Sequence, residues 1–443
     1  MNEQDKTNTL TRDYKIHAMT AVMIIGFVTM AVFLHWTVLF DGAVWPYNTF
    51  LPAPVSRFGD YWGVVMQWAS SQFGGIGFGH SYFPAIYLLV HPFAHFAFIE
   101  PHLVSLASKG SLIAFLAIFV VFTVWYTWLN VRSATNPMET IQRVIVFTVM
   151  SYPTLFTFQT GNFEAYIFIC LALFLYLYQR KQFALSTLPL AFAIASKLFP
   201  AVFLVLLIAD KRFKETLYVV IGVVVFTLLP LYIFEGGLRT SNLGAFLHNL
   251  RESQKMYFDL MVVSTAGNHF GGSLYNTFRI VFGEGVLPIA THIKSYAVLA
   301  LGILLLVSAY VVLVEKAMWK RVTLIVICMC LLPYTSTDYK LMHFYLPAWL
   351  FINQPDDASA TKRSNLLYSI GFAILFMPKS YFTFDGDIYN NINAPTNFLV
   401  MLGMTVAIIH YGMKNTSWSE VKANLCCFTP RKIWNGLFAK SAG

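Results

Sequence analysis

The segment IHAMTAVMIIGFVTMAVFLHWTVLF, residues 16–40, decides the class of fold. It contains no Asp, Glu, Lys or Arg, and it is longer than the roughly 20 apolar residues with which an α-helix crosses a bilayer. A signal-peptide core has only roughly 7–15 apolar residues and ends at a cleavage site, which this segment lacks. We therefore expect a retained anchor helix that begins a membrane-embedded fold.

Apolar runs of similar length recur along the chain, in which 57% of the residues are hydrophobic and 12% are charged. Backbone polar groups in lipid must be satisfied internally, so such a chain spans the membrane as helices or as a closed barrel. Runs this long exclude the short alternating strands of a barrel. The net charge of +9 comes from basic clusters between apolar runs, which are typical of cytoplasmic loops rather than of nucleic-acid binding. The sequence therefore predicts an all-α polytopic membrane protein with no nucleic-acid partner.

Basic residues indicate how the chain threads the membrane. Lys6, Arg12 and Lys15 precede the first apolar run, which places the N-terminus in the cytoplasm and the next loop outside. Segment 82–99 either crosses or lies along the outer interface; we favour the interface because a crossing would put later basic loops on the wrong side. About twelve crossings with both termini cytoplasmic result. They include residues 16–40, 112–129, 144–158, 217–234, 297–313, 322–335, 341–352, 366–382 and 398–411.

One crossing is expected to be broken. Both ends of the stretch 183–208 look cytoplasmic, and Pro200 follows Lys197 where two short helices would meet. Proline interrupts a helix because it lacks the backbone N–H. Broken helices at membrane depth normally line a cavity, so this stretch is expected to border one.

The threading divides the chain into tails, two transmembrane modules and outer loops. The C-terminal tail mixes basic and apolar residues, as segments that rest on anionic lipid do, so membrane lipid is an expected partner. The predicted parts are a cytoplasmic tail (1–15), an N-terminal transmembrane module (16–234) containing the first outer loop (41–107), an outer loop (235–288), a C-terminal transmembrane module (289–413) and a basic cytoplasmic tail (414–443).

The threading also brings the unusual polar residues to one face of the membrane. Ionisable residues in or beside apolar segments are costly, so each is a functional candidate. For any one of them, the competing explanation is a paired structural residue or an interface anchor. One acid among several cations and amides suits an anionic substrate with a reacting hydroxyl. These residues are Asp60, His80, Asn162, Glu164, Lys197, Asn268, His269, Arg279, Asp338, Lys340 and His343.

Transfer of a sugar from a polyprenyl phosphate matches this set. The leaving group is a phosphate monoester, so the general acid of glycoside hydrolysis is not required. One base that takes the proton of the acceptor hydroxyl contributes roughly 10²–10⁴-fold, and cations stabilise the departing phosphate. Asp60 fits the base; Asp41 is the alternative acid, and Asp60 could instead cap the helix after it. Candidates for holding the phosphate are Lys197, Lys340, His80, His269 and Arg279.

Four short motifs occur in a characteristic order. They are Asp60-Tyr61-Trp62 leading through Tyr82-Phe83-Pro84 to Pro92, then Gly161-Asn162, then Ala195-Ser196-Lys197-Leu198-Phe199-Pro200, then Gly267-Asn268-His269 leading through Ser273-Leu274 to Arg279. Together they resemble the polyprenyl-phosphate-mannose-dependent mannosyltransferases of bacteria, a GT-C class family of integral-membrane glycosyltransferases. The chain departs from that family in three places. The turn at Tyr82 lacks one proline, His269 replaces a Gln, and Lys340 with His343 stands where the family has a Ser-Trp-x-His-His stretch.

The resemblance implies a GT-C fold with interfacial helices in the first outer loop, and a catalytic role for Asp60. It implies inverting transfer of a mannose-like hexose from a polyprenyl-phosphate sugar to a glycan or glycolipid acceptor, without a nucleotide sugar. No cofactor is expected, and the resemblance does not demand a metal; no His, Asp or Glu spacing in the sequence indicates a metal site. The expected location is the bacterial inner membrane, with the active site facing the periplasm or exterior. The substrate-binding residues implied are His80, Tyr82, Asn162, Lys197, Asn268, His269, Arg279, Asp338, Lys340 and His343.

Two other functions stay open at this stage. A lipid-linked oligosaccharide flippase or other transporter would show an internal repeat with paired broken helices at the midplane, and the sequence has neither. An O-antigen-type polymerase or ligase would carry a long outer loop rich in arginine and histidine. The loop 235–288, with Arg239, His248 and Arg251, keeps that alternative open.

Overall fold

The computed structural model describes residues 3–40, 58–70, 83–90, 104–133, 136–233, 240–264, 267, 271–283, 289–355, 361–379, 382–385, 388–430, 432 and 434. Helices make up nearly all of these residues. The α-helices are Glu3–Phe40, Gly59–Ser70, Val104–Val131, Pro137–Val149, Tyr152–Thr160, Glu164–Gln179, Phe183–Ser196, Leu204–Ala209, Phe213–Ile233, Thr240–Phe258, Leu274–Phe282, Ile289–Leu313, Met318–Leu331, Tyr345–Asn353, Lys362–Phe376, Asn393–Asn415 and Trp418–Leu425. Phe199–Phe203, Asp338–Phe344 and Cys426–Phe428 are 3₁₀-helices, and Asp259–Val263 is a π-helix.

Five of the described helices are long and apolar enough to cross a membrane, and a sixth span is obtained if one bent pair counts as one. The protein is therefore a multi-pass membrane protein, as predicted. Large apolar side chains such as Val298 and Leu306 are each 73% exposed, which places them against lipid. The count of about twelve crossings stays a prediction. The five helical spans are Thr9–Phe40, Lys109–Val131, Phe213–Ile233, His292–Leu313 and Asn393–Asn415.

The expected single crossing at 144–158 consists of two helices. Pro137–Val149 and Tyr152–Thr160 meet at a bend of 55°. Pro153 explains the break, because it has no N–H to donate to the carbonyl four residues earlier. The bent pair therefore replaces a straight helix at this point.

The predicted break near Lys197 and Pro200 is confirmed. Phe183–Ser196 ends at Lys197, whose backbone is extended (φ −156°, ψ 135°). A 3₁₀-helix, Phe199–Phe203, follows with Pro200 in its first turn. Lys197 thus stands at the end of an apolar helix, where its side chain projects from irregular backbone.

A short antiparallel hairpin is the exception to the all-α prediction. Phe382–Asp385 pairs with Ile388–Asn391, with Phe382 opposite Asn391. Gly386 and Asp387 stand between the two strands in the sequence, and two-residue loops with Gly in first position favour such hairpins. The predicted crossing 366–382 is correspondingly shorter: the helix Lys362–Phe376 ends just before Pro378.

The chain forms two compact units, each built from separated stretches of sequence. In the first unit, Glu3–Phe40 packs on Lys362–Phe376, and Met318–Leu331 packs on Tyr345–Asn353. The first unit comprises Met1–Val55, Thr123–Phe156 and Met261–Thr429. The second comprises Ser56–Phe122, Thr157–Leu260 and Pro430–Gly443. In the second unit, Phe183–Ser196 packs between Glu164–Gln179 and Phe213–Ile233.

Arg12, within the helix Glu3–Phe40, bonds to the C-terminal ends of two other helices of the first unit. Its Nη2 donates to the carbonyls of Asn130, at 2.9 Å, and Arg132, at 3.1 Å, while its Nε donates to Oδ1 of Asn353 at 3.0 Å. Nearby, Nζ of Lys15 donates to the carbonyl of Phe351 at 3.0 Å. Cations at helix C-termini satisfy exposed carbonyls and complement the helix dipole. The two helix ends therefore meet beside the same part of the helix Glu3–Phe40.

Candidate functional site

Four polar residues form a connected group in the second unit, which we call the Asp60 cluster: Asp60, Asn162, Glu164 and Lys197. Nδ2 of Asn162 donates to Oδ2 of Asp60 at 2.7 Å. The backbone N–H of Glu164 donates to Oδ1 of Asn162 at 2.8 Å. Nζ of Lys197 pairs with Oε2 of Glu164 at 2.8 Å. Because Oδ1 of Asn162 must accept from an N–H, its amide can only present the NH₂ group to Asp60.

The start of the helix Gly59–Ser70 positions Asp60. Asp60 lies in the first turn, where the helix dipole favours a negative charge. Phe58, just before the helix, has φ 57°, and its N–H donates to the carbonyl of Gln159 at 2.8 Å. This bond ties the first turn to the end of the helix Tyr152–Thr160, so Asp60 arrives beside Asn162.

Gly161 makes the turn that presents Asn162 and Glu164. Its φ is +63°, a left-handed conformation that glycine adopts without strain. A Cβ at this position would lie 2.8 Å from Cβ of Tyr61. Both the backbone conformation and the close approach therefore require glycine. In the Gly161-Asn162 motif, Gly161 therefore makes the turn and Asn162 makes the contact with Asp60.

Burial sets the electrostatics of the Asp60 cluster. Glu164 is 0% exposed, Asn162 is 3% and Lys197 is 8% exposed, while Asp60 is half-buried. Burial raises the pKa of Asp60, and the hydrogen bond from Asn162 and the charge of Lys197 oppose that increase. The cluster contains two carboxylates, Asp60 and Glu164, and one ammonium, Lys197. Its net charge is therefore −1 when all three groups are ionised.

Aromatic side chains enclose the cluster from the side of the helix Gly59–Ser70. Tyr61 is 2% exposed, and its ring stacks on Phe163 with 5.9 Å between centroids and 9° between planes. Phe115 packs against the same ring at 5.1 Å, and Ser111 shares a hydrogen bond with the Tyr61 hydroxyl. Tyr61 is therefore a core residue, and it excludes water from one side of the neighbouring acid.

A second buried acid lies in the first unit, in what we call the Asp338 cluster. Oδ2 of Asp338 accepts from the Tyr152 hydroxyl at 2.9 Å and from Nδ2 of Asn393 at 3.0 Å. Lys379, past the end of the helix Lys362–Phe376, interacts electrostatically with Asp338. Burial raises the pKa of Asp338 and lowers that of Lys379 to about 8. The sequence analysis did not single out Tyr152, Lys379 or Asn393. They could have been found because each is a polar residue beside an apolar run.

Backbone contacts attach the glycine-rich segment of the predicted outer loop to Asp338. The N–H of Gly272 donates to the carbonyl of Ser336 at 2.8 Å, and Gly271 forms a β-bridge with Thr337. A Cβ on Gly272 would lie 3.2 Å from Oδ1 of Asp338. The motif near Arg279 and the altered motif near Lys340 therefore meet in this unit.

Three other predicted site residues of the first unit are described, and all three are buried. Arg279 is 2% exposed, and its Nη1 donates to the carbonyls of Val262, at 3.1 Å, and Ser264, at 2.8 Å. Lys340 is 3% and His343 is 0% exposed, both in the 3₁₀-helix that begins at Asp338. His80, Tyr82, Asn268, His269 and the alternative acid Asp41 lie outside the described residues.

The fold and the Asp60 cluster define a helical multi-pass membrane protein with a polar, acid-centred site at the ends of apolar helices. The family model described as Glycosyltransferase family 87 (GT87) matches residues 81–335, which is more than half of the chain. The chain therefore belongs to glycosyltransferase family 87, a GT-C membrane glycosyltransferase family. A comparison with curated proteins found no match. The matched residues include Asn162, Glu164 and Lys197, whereas Asp60 and Asp338 lie outside them.

Proposed function

We propose that this membrane glycosyltransferase moves a mannose-like hexose from a polyprenyl-phosphate sugar to an extracytoplasmic glycan or glycolipid acceptor, with Asp60 as the base. The observation that carries the proposal is the Asp60–Asn162 hydrogen bond of 2.7 Å. It holds one carboxylate oxygen, and within the described part of the chain Oδ1 of Asp60 accepts no hydrogen bond. A half-buried carboxylate with one oxygen held and one available has the form of a general base.

The reaction follows from the groups available. Asp60 takes the proton of the acceptor hydroxyl while that oxygen attacks the anomeric carbon from the face opposite the phosphate. The bond between the anomeric carbon and the phosphate oxygen breaks, and the electron pair leaves with the polyprenyl phosphate. Configuration therefore inverts. Since phosphate is a good leaving group, a single carboxylate base is sufficient.

The raised pKa of Asp60 supports this role. A general base is most effective when its pKa lies near the working pH, and burial moves the pKa of this carboxyl upward. The Asn162 hydrogen bond and the Lys197 charge act in the opposite direction and favour the ionised form, which is the form that accepts a proton.

The donor's phosphate requires cations other than Lys197. Lys197 is already paired with Glu164 at 2.8 Å, so its charge is shared. We therefore assign the phosphate to the remaining cationic candidates and the hydroxyl groups of the substrates to the uncharged and acidic ones. The cationic candidates are His80, His269, Arg279 and Lys340; the others are Tyr82, Asn162, Asn268, Asp338 and His343.

The proposed location is the inner membrane of a bacterium, with the Asp60 cluster facing the periplasm or exterior. The support is the basic residues before the first span, which favour a cytoplasmic N-terminus. Polyprenyl-phosphate sugars serve as donors on the far side of that membrane because nucleotide sugars are confined to the cytoplasm.

Reconstituted protein tests the proposal directly. The purified protein in nanodiscs receives polyprenyl-phosphate mannose or glucose, or the matching nucleotide sugars, with membrane glycolipid extract as acceptor. We expect a new glycolipid by mass spectrometry with a polyprenyl-phosphate donor and none with a nucleotide sugar. Transfer from a nucleotide sugar alone would contradict the proposal, as would passage of an intact lipid-linked sugar across liposomes without a new glycosidic bond.

A further inference from the structure

Glu164 occupies a position that the base mechanism by itself does not require. Its side chain is completely buried and pairs with Lys197 at 2.8 Å. Its backbone N–H holds Oδ1 of Asn162, and the other end of that amide holds Asp60. One residue therefore reaches the proposed base along two routes, through the Asn162 amide and through the Lys197 ammonium.

The charges along these two routes act in opposite directions on Asp60. A cation near a carboxylate favours its ionised form, and a second carboxylate disfavours it. In a buried setting both effects are larger than in water. Lys197 alone would make Asp60 a strong acid and hence a weak base. The ion pair with Glu164 offsets part of that charge while keeping the ammonium in place.

We propose that Glu164 and Lys197 form a positioning pair that sets the proton affinity of Asp60, Lys197 by favouring the ionised carboxylate and Glu164 by restraining Lys197. The inference rests on the proposed role of Asp60 as the base. Neither residue touches the reacting atoms in this scheme. Both act on the reaction only through Asp60.

Other titratable groups near the cluster do not supply this effect. Tyr61 follows Asp60 in the helix Gly59–Ser70, and its phenol carries no charge near neutral pH. Lys197 is the charged side chain that acts on Asp60 among the described residues, and Glu164 is its ion-pair partner. Substitutions of Lys197 and Glu164 therefore test how nearby charge affects the pKa of Asp60.

Two single substitutions with opposite expected effects test the proposal. Lys197→Met removes the cation and should raise the apparent pKa of Asp60, because an opposite charge favours the ionised carboxylate. Glu164→Gln frees the cation and should lower it. The readout is the pH dependence with which dicyclohexylcarbodiimide, which reacts with protonated carboxyl groups, modifies Asp60 in the full-length protein, measured by peptide mass spectrometry.

The exposed ion pair between Lys316 and Glu420, at 3.2 Å, provides a matched control. Lys316→Met and Glu420→Gln make the same chemical changes in the first unit and should leave the modification profile of Asp60 unchanged. A profile that moves equally in the control variants would overturn the proposal. So would Lys197→Met and Glu164→Gln profiles that both stay in place or both move in the same direction.

A double variant covers the case in which a single substitution prevents folding, because Glu164→Gln with Lys197→Met removes both members of the buried ion pair together, which is less destabilising than removing one. It should fold and modify Asp60 with the profile expected for Lys197→Met; a wild-type profile would overturn the proposal. The labelling requires no sugar transfer. Opposite shifts in a protein that transfers no sugar would therefore uphold the pair while refuting the proposed function.

Discussion

Asn162 donates its side-chain amide to Oδ2 of Asp60 at 2.7 Å, although the two residues are 102 positions apart in the chain. The bond joins the start of the helix Gly59–Ser70 to the turn that opens the helix Glu164–Gln179. Through Oδ1, the same amide is anchored to the backbone of Glu164 at 2.8 Å. The orientation of the proposed base therefore depends on the turn at Gly161 as much as on the helix that carries Asp60.

Replacing Asp60 by Asn should lower sugar transfer by roughly 10²–10⁴-fold, the contribution of a general base. The amide has the same shape but cannot accept the acceptor's proton. Initial rates with saturating polyprenyl-phosphate donor provide the measurement. Thermal unfolding should stay near that of the wild type. Glu215→Gln, another carboxylate of the same unit, serves as control; activity of Asp60→Asn within a few fold of it would exclude Asp60 as the base.

Replacing Asn162 by Ala should move the acidic limb of the pH profile of kcat/KM to higher pH. The amide lowers the pKa of Asp60, so its removal raises that pKa and reduces the ionised fraction near neutral pH. Loss of the acceptor for the Glu164 N–H should also lower the free energy of unfolding by about 1–3 kcal/mol. An acidic limb unchanged from the wild type would mean that the hydrogen bond does not stabilise the carboxylate.

Replacing Gly161 by Ala should destabilise the protein by about 1–3 kcal/mol and reduce activity. The left-handed backbone at φ +63° is strained for alanine, and the new Cβ would meet Tyr61. Gly63→Ala is the matched control: it lies inside the helix Gly59–Ser70 with nothing within 4 Å of its Cβ, and it should be neutral or stabilising by about 0.5–1 kcal/mol. Equal melting temperatures for the two variants would contradict the close approach.

Lys379 should make stability rise with pH between about 8 and its ordinary value of 10.5. Burial lowers its pKa in the folded protein to about 8, so its contribution to stability is present above pH 10.5 and is lost as the pH falls through 8. Lys379→Met should remove this part of the pH dependence of the melting temperature. Lys316→Met, at an exposed position, should keep it. A slope that persists in Lys379→Met would assign the effect to another group.

Replacing Lys340 by Gln should raise the apparent KM for the polyprenyl-phosphate donor by about tenfold, since a hydrogen bond to a charged group contributes roughly 1.5–3 kcal/mol. The apparent KM for the acceptor should change little. Lys294→Gln, at an exposed position of the helix Ile289–Leu313, is the control. An unchanged donor KM with a lowered melting temperature would give Lys340 a structural role instead.

Local sequence patterns predicted where most helices lie, but the structure differs from the prediction at some helix ends and breaks. Pro200 correctly predicted the break after Lys197, because the loss of a backbone donor is a local property. Pro153 carried the same signal for the bend after Val149, yet the apolar run around it looked continuous. The hairpin that starts at Phe382 was missed because the predicted crossing was extended to residue 382, past the end of the helix at Phe376.

The candidate site could be predicted as a set of residues but not as a set of contacts. Asp60, Asn162 and Lys197 all stood out as polar groups beside apolar runs. The pairing of Lys197 with Glu164, 33 positions away, did not follow from the spacing. It shows that a lysine expected to hold phosphate already has an acidic partner, which changes the role proposed for it.

The sequence alone determined the membrane-embedded helical class, the break at Lys197 and the resemblance to polyprenyl-phosphate-dependent transferases. These depend on hydropathy, proline positions and short motifs, which are local properties of the sequence. Only the tertiary structure decided which polar groups meet: Glu164 forms an ion pair with Lys197, and Asp338 accepts hydrogen bonds from Tyr152 and Asn393 and interacts electrostatically with Lys379. The physical reason is that an ion pair or a buried hydrogen bond depends on atoms a few ångströms apart, and packing alone determines which distant residues reach that separation.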